Sequence, residues 1–318
     1  MKSKLLVAFI GSVLVSCHKD EIPIQPHESG DALEVQVEMG QTYKNQLFYS
    51  LENNLIVSSN EKTIWDLAFE SSAAGWHIRL NTSKGMAVHR SDSNFDEITS
   101  SAGLNWHWDT QTGNVDSTAI GDWPTENKLY VIDLGYNDVG GHQGFMKMKV
   151  EQVNSTFYQI SCGDISEVTP QQQTITKNTA NLYTYFSFQS GVVTVAPPNE
   201  TWDLKFTQYT HLFTNPEEAY IVTGVLLNRF NTSAAKITDK AFTEIGYSDV
   251  VGLNYSTHLD FIGYSWKTFD FESSLYIVDP SVTYIVKTHQ GMFYKLHFIS
   301  FYNAQGIKGY PTFEVQEL

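Results

Sequence analysis

Past its midpoint the sequence starts again. Tyr49-Ser50-Leu51, Leu55-Ile56-Val57 and Trp65-Asp66-Leu67-Ala68-Phe69 return as Phe186-Ser187-Phe188, Val192-Val193-Thr194 and Trp202-Asp203-Leu204-Lys205-Phe206, always 137 residues later. Ile120-Gly121 then answers to Ile262-Gly263, and Tyr130-Val131-Ile132-Asp133 to Tyr276-Ile277-Val278-Asp279. His142-Gln143-Gly144 answers to His289-Gln290-Gly291, the offset growing through 142 and 146 to 147–148. Growth of this kind is expected when insertions fall in loops while strands keep their register. A period near 140 residues is too long for a solenoid repeat. The chain is therefore expected to be one unit copied in tandem, with domains over 32–168 and 176–318.

The unit reads as β. Aromatic residues make up 14% of the chain, and no long stretch has helical periodicity. Alternating or β-branched runs occur at 55–58, 65–69, 77–80, 128–134, 145–153, 183–188, 192–196, 220–228, 275–278, 284–287, 293–301 and 312–315. In 145–153, Met146, Met148 and Val150 alternate with Phe145, Lys147 and Lys149, which predicts a half-buried strand with its lysines outward. Asn303-Ala304-Gln305-Gly306 predicts a hairpin turn in which Gly306 supplies a positive φ. The best helix candidate is short, at 236–241. The expected fold class is all-β, as two antiparallel domains packed together.

The N-terminus reads as an export signal. Lys2 and Lys4 precede an apolar run from Leu5 to Val15, too short to span a bilayer but right for a signal peptide over 1–16. Leu14-Val15-Ser16-Cys17 resembles the bacterial lipobox, which makes Cys17 the lipidation site. His18-Lys19-Asp20-Glu21 resembles the surface-export signal of Bacteroidota lipoproteins. Residues 17–31 then form a flexible tether rich in Pro, Ser and Gly. With Cys17 lipidated, Cys162 has no partner for a disulfide. It reads as a buried strand thiol rather than a nucleophile. The formal net charge of −15, with no basic stripe, disfavours nucleic acid as a partner.

Several motifs have plain structural readings. In each Trp-Asp-Leu-x-Phe run the apolar residues share one face, and Asp66 or Asp203 points away to accept bonds from the preceding turn. The repeated His142-Gln143-Gly144 and His289-Gln290-Gly291 read as a shared hairpin turn. No His-x-x-x-His, His-Glu-x-x-His or Cys-x-x-Cys pair supports zinc. Neither Gly-x-Ser-x-Gly nor a phosphate-cradling glycine loop is present, so a non-enzyme is expected. Trp106-His107-Trp108 stands out, because alternation puts both indoles on one face as a platform for a sugar or a porphyrin, with His107 opposite. Core packing is the commoner use of such a pair.

The second copy is similar to a known family. Tyr185-Phe186-Ser187-Phe188, Trp202-Asp203-Leu204-Lys205-Phe206, Val222-Thr223-Gly224-Val225, Tyr294-Lys295-Leu296-His297-Phe298 and Thr312-Phe313-Glu314-Val315 resemble HmuY-family surface lipoproteins of Bacteroidota. The likeness covers about 181–318 and, more faintly, 46–163. Founding members of the family hold haem iron with two strand histidines and serve an outer-membrane importer. The resemblance implies haem or a related porphyrin as ligand and His258 as the first iron ligand. The family's second histidine belongs between 271 and 284, where this chain has neither His nor Met. Tyr276 or Tyr284 would have to ligate as phenolate, although packing is the usual work of a strand tyrosine. The implied setting is the outer membrane, lipid-anchored and cell-surface exposed, beside a TonB-dependent receptor. The alternative is a surface lipoprotein that binds glycan or protein through Trp106 and Trp108, without haem.

Overall fold

The computed structural model describes residues 29–318, so the signal segment, Cys17 and most of the tether lie outside the described residues. The first half contains β1 (Leu33–Gln36), β2 (Asn45–Ser50), β3 (Leu55–Glu61), β4 (Leu67–Glu70), β5 (Ile78–Leu80), β6 (Ala87–Ser91), β7 (Leu129–Asp133), β8 (Phe145–Val153), β9 (Phe157–Asp164) and β10 (Gln171–Thr176). The second half contains β11 (Tyr183–Ser187), β12 (Gly191–Val193), β13 (Leu204–Thr214), β14 (Glu217–Leu227), β15 (Ser233–Ile237), β16 (Lys267–Asp270), β17 (Leu275–Val278), β18 (Thr283–Lys287), β19 (Phe293–Tyr302) and β20 (Lys308–Glu317). Among the described residues, α-helix is confined to single turns at Trp123–Glu126 and Tyr247–Val250. The protein is all-β, with every strand pairing antiparallel. The helix expected at 236–241 is absent, because Lys236 and Ile237 finish β15, which pairs with β18, and 238–241 are irregular.

Two sandwiches share one plan. One five-stranded sheet runs β10-β9-β8-β7-β6 and the other β1-β20-β19-β18-β15. Each faces a four-stranded sheet, β12-β11-β4-β5 or β14-β13-β2-β3. In these orders β7 occupies the place of β18. Tyr130 therefore corresponds to the buried Tyr284, not to Tyr276 as the sequence match suggests. Tyr276 lies on β17, in a separate ribbon with β16.

The cores divide elsewhere than at 168/176. One core joins Leu67, Phe69, Tyr130, Met148 and Tyr158 to Phe186. The other joins Leu47 and Tyr49 to Leu204, Phe206, Phe298 and Phe313. The reason is an exchange of hairpins, since β2–β3 pairs with β13 and β11–β12 pairs with β4. The repeated aspartates secure it in both places. Asp66 N–H donates to Phe186 O and Asp203 N–H to Tyr49 O, each at 2.8 Å. Their carboxylates accept the N–H of Phe188 and of Leu51, again at 2.8 Å. The partner of each carboxylate is thus the exchanged hairpin, not the preceding turn. The tryptophans also leave the face assigned to them: Trp65 packs with Phe48 and Ala68, partly buried Trp202 beside them, while Leu67 and Phe69 point into a core.

Lys147 also departs from expectation. It is fully buried, and its ammonium donates to the carbonyls of Phe95, Ile98 and Glu167 at 2.6–2.8 Å. Lys295 does the same for Phe242 and Ile245 at 2.7 and 2.8 Å. A buried ammonium needs such acceptors to offset its lost hydration. The loops that cover β8 and β19 supply them, a long-range fact that alternation cannot show. Gly224 explains the glycine of Val-Thr-Gly-Val. A Cβ there would lie 2.3 Å from Gly263 O, at the point where the Gly263 loop bridges to Val225.

Candidate functional site

β13 and β14 form a hairpin far longer than the core requires. Their register is unbroken from Leu204↔Leu227 to Thr214↔Glu217, yet β2 pairs only with Leu204 to Phe206. Beyond that point the hairpin reaches across to the first half. Thr210 Oγ1 donates to Thr82 O at 2.8 Å, and Lys62 bonds Gln208. The extension carries a partly exposed group of rings. His211 lies opposite Tyr220 in the ladder, with its ring 4.7 Å from Phe213 and 5.1 Å from Tyr264. Phe213 lies 6.5 Å from Tyr220, whose exposure is 58%.

Charge gathers beside these rings. His211 Nδ1 is buried without a hydrogen-bond partner, 3.9 Å from Asp260 Oδ2. Burial raises the Asp260 carboxyl above its ordinary range, opposed by a backbone hydrogen bond and then by His211 and His258. His258 is exposed, and its own N–H donates to Ser256 Oγ at 3.1 Å. The structure therefore sets two histidines about one carboxylate. Sequence reading nominated His258 and did not weigh His211, because it sought the second histidine after residue 271. Strand pairing brings in His211 from 47 residues upstream of His258. The one available signal was the long alternating run after Trp202.

The expected tyrosine ligands are placed otherwise. Tyr284 is 1% exposed within the core, 6.2 Å from Phe298, and burial pushes its phenol up to about 12. A phenol enclosed in that way neither ionises readily nor reaches an outside iron. Tyr276 packs against Phe269 and Phe301 at 5.1 Å, with Lys267 Nζ 5.5 Å from its ring. Burial holds its phenol above the ordinary value as well. Tyr284 packs within the core and half-buried Tyr276 at its edge.

Trp106 and Trp108 do share a cleft, with His107 bridging to Val88 between them. The cleft holds about 450 Å³, and Tyr136, Tyr220 and Ile221 complete its apolar wall. Trp106 stacks on Phe145 at 5.7 Å. Tyr220 belongs to this wall and to the ring group around His211, so the two features adjoin along β14. His142 is occupied as a turn residue: Nε2 bonds Asp133 at 2.8 Å and Nδ1 accepts Gly144 N–H at 3.2 Å. His297 stacks on Phe242 at 4.3 Å and bonds Glu314 at 3.0 Å. Burial pushes the Cys162 thiol up to about 11, which suppresses thiolate. Among the described residues no group of three or more His, Cys, Asp or Glu is arranged to hold a metal ion. No described helix is long and apolar enough to cross a membrane.

Comparison with known proteins gives the chain its relatives. No curated protein matches the sequence. Among solved structures, it is similar to apo PinO from Porphyromonas gingivitis at 9% identity and TM-score 0.38, over 91% of this chain and 99% of that one. It is similar to the apo HmuY analog of Tannerella forsythia at 8% identity and TM-score 0.27, over 92% and 98%. A putative HmuY-like heme-binding protein of Bacteroides vulgatus aligns at 12% identity and TM-score 0.24, over 89% and 90%. The sequence profile described as HmuY protein matches residues 42–315, and on that match the chain belongs to the HmuY family.

Proposed function

We propose that this protein is an outer-membrane surface lipoprotein that captures haem or a related porphyrin for an importer. The observation that carries the reading is His211: a buried imidazole nitrogen without a hydrogen-bond partner, 3.9 Å from Asp260, among aromatic rings and near a second, exposed histidine. Imidazole nitrogen ligates haem iron, and flat rings cover porphyrin faces. His211 and His258 would hold the iron, Phe213, Tyr220 and Tyr264 would cover the macrocycle, and Asp260 would orient the imidazoles. Membership of the HmuY family supports a role in binding. In this reading Cys17 carries the lipid, and a TonB-dependent receptor takes delivery. We read the two sandwiches as copies of one ancestral unit that exchanged hairpins.

Haemin titration of the full chain tests the proposal. The Soret band should shift at stoichiometric protein. His211→Ala and His258→Ala should each weaken binding by about tenfold or more, the loss of one ligand bond. Tyr276→Phe and Tyr284→Phe should leave the spectrum as it is. A band that stays at its free-haemin position throughout would remove haem from the account.

The Trp106–Trp108 cleft supports a second reading, a surface protein that binds glycan or protein, because two indoles and exposed Tyr136 and Tyr220 line one hollow. Soluble polysaccharide fragments that bind wild type but not Trp106→Ala, together with silence toward haemin, would favour it.

A further inference from the structure

The hairpin extension has two faces. Alternation along β13 puts His211 and Phe213 on one and Gln208 and Thr210 on the other, with Ile221 opposite Thr210 in the ladder. The second face closes on the first half along the seam between the sandwiches. Gly85 admits it, since a Cβ there would lie 3.0 Å from Ile221 Cδ1. Two hollows meet at this contact. One is the Trp106–Trp108 cleft, and the other, of about 440 Å³, is lined by Gln41, Lys62, Asn137, Asp138 and Gln208. Both have Tyr136 and Ile221 in their walls, so together they form one groove.

The two ends of the groove differ in chemistry. At one, partly exposed Trp106 and Trp108 form an apolar platform. Among the described residues no histidine lines the groove, so a porphyrin iron would find no imidazole there. Exposed Tyr136 stands between the ends and is held in place, its N–H on Lys84 O at 2.8 Å and its ring 5.4 Å from that of His142. The other end mixes donors with acceptors. Asp138 offers a carboxylate that accepts from Thr42 Oγ1 at 3.3 Å. Lys62 is 3% exposed, yet among the described residues its ammonium has one hydrogen-bond acceptor, Gln208, where that of Lys147 has three carbonyls. Burial pulls the Lys62 ammonium down to about 8, against the charge of Asp138.

A wall with a carboxylate, an ammonium and amides side by side selects neither an anion nor a cation. It suits hydroxyl groups, each of which both donates and accepts. The indole faces beside it suit the C–H face of a pyranose. Each hollow alone is within the range of about 300–1,000 Å³ usual for a whole ligand, so the joined pair suits a chain of sugars better than one sugar. We propose that the groove binds a neutral oligosaccharide, with one sugar stacked on Trp106 and Trp108 and a later one hydrogen-bonded to Asp138 and its amide and ammonium neighbours. The inference rests on the second reading above and narrows it from glycan or protein to this class of glycan. The opposite face of the hairpin is left to His211, and Tyr220 alone borders both.

The test is an array of neutral and uronate-containing glycans, from single sugars to tetrasaccharides, probed with the labelled full chain and followed by calorimetric titration of those retained. Neutral tetrasaccharides should bind, and their single sugars should be weaker by about tenfold or more. Trp106→Ala and Asp138→Asn should each weaken the tetrasaccharide by a similar factor. Asp138→Asn, at a partly exposed position, should melt as wild type does, so its loss cannot be put down to misfolding. A loss in Trp106→Ala with none in Asp138→Asn would keep the second reading and overturn the two-ended groove. Uronates bound as well as neutral glycans, or single sugars as tightly as tetrasaccharides, would overturn the ligand class. No retained glycan at all would overturn both and leave the groove to a protein partner.

Discussion

Two hairpins hold the same place in the two sandwiches and end differently. β4–β5 stops after the pairs Leu67↔Leu80, Ala68↔Arg79 and Phe69↔Ile78. β13–β14 begins alike, with Leu204 and Phe206 in its core as Leu67 and Phe69 are in theirs. It then runs on to Thr214 and Glu217. The shared part is what a sandwich needs to close, while the added part carries His211, Phe213 and Tyr220 and touches the opposite half. The difference separates folding from binding: the repeated residues build the scaffold, and the unrepeated length carries the candidate site. The haem proposal lives on that length.

The sharpest break in the likeness lies at the two aspartates. Asp66 and Asp203 each cap an exchanged hairpin, but only Asp66 also holds a cation, Lys84, at 2.5 Å. Both members of that pair are nearly enclosed, with side-chain exposures of 5% and 8%. Asp66→Asn should therefore strand a buried ammonium and cost about 3–5 kcal/mol. Asp203→Asn removes a carboxylate that forms no ion pair among the described residues and should cost far less. Urea unfolding of both variants at neutral pH checks this. Equal losses would mean that the two halves use their aspartates alike.

The second test uses pH. Burial first, and then the charge of Glu52, push the Asp203 carboxyl up to about 6, against the N–H of Leu51 and the nearby His289. Its folded pKa stands above its unfolded one, so the folded state holds the proton more tightly. The contribution is complete below about pH 4 and is lost as pH rises through 6. A shift of this size is worth at most about 3 kcal/mol. Wild type should lose stability between pH 4 and 7 relative to Asp203→Asn, which has nothing there to titrate. Parallel profiles for the two proteins would show that the carboxylate is better solvated than its setting implies.

How far the sequence spoke can be judged at particular residues. Phe145–Val153 and Leu275–Val278 are strands at the bounds expected, because alternation and flanking turns are local signals. The Asn303 turn also forms, with Gly306 at φ 73°. The partners of Asp66 and Lys147 were illegible, since neither the exchange of hairpins nor the covering loops leave any mark on local periodicity. The match of Tyr130 to Tyr276 failed for a related reason: four similar residues fixed it, while sheet order pairs Tyr130 with Tyr284. Of the candidate site, one histidine was visible. His258 came from family likeness, but His211 needed an eleven-residue ladder that only pairing reveals.

The smallest expected effect tests whether the added hairpin length is docked or merely long. Thr210 is 2% exposed, and its hydroxyl bond to Thr82 O joins the extension to the turn after β5. Thr210→Val keeps the side-chain shape and leaves that contact unmade, at about 1 kcal/mol. The twin hairpin has no counterpart to lose, since β4–β5 ends before such a reach. If docking holds His211 in place, Thr210→Val should also loosen haemin, by less than His211→Ala does, because the ligand remains and only its support is relaxed. A variant with wild-type melting and wild-type Soret titration would mean that the ladder alone is stiff enough, and that contact between the halves serves the seam rather than the rings.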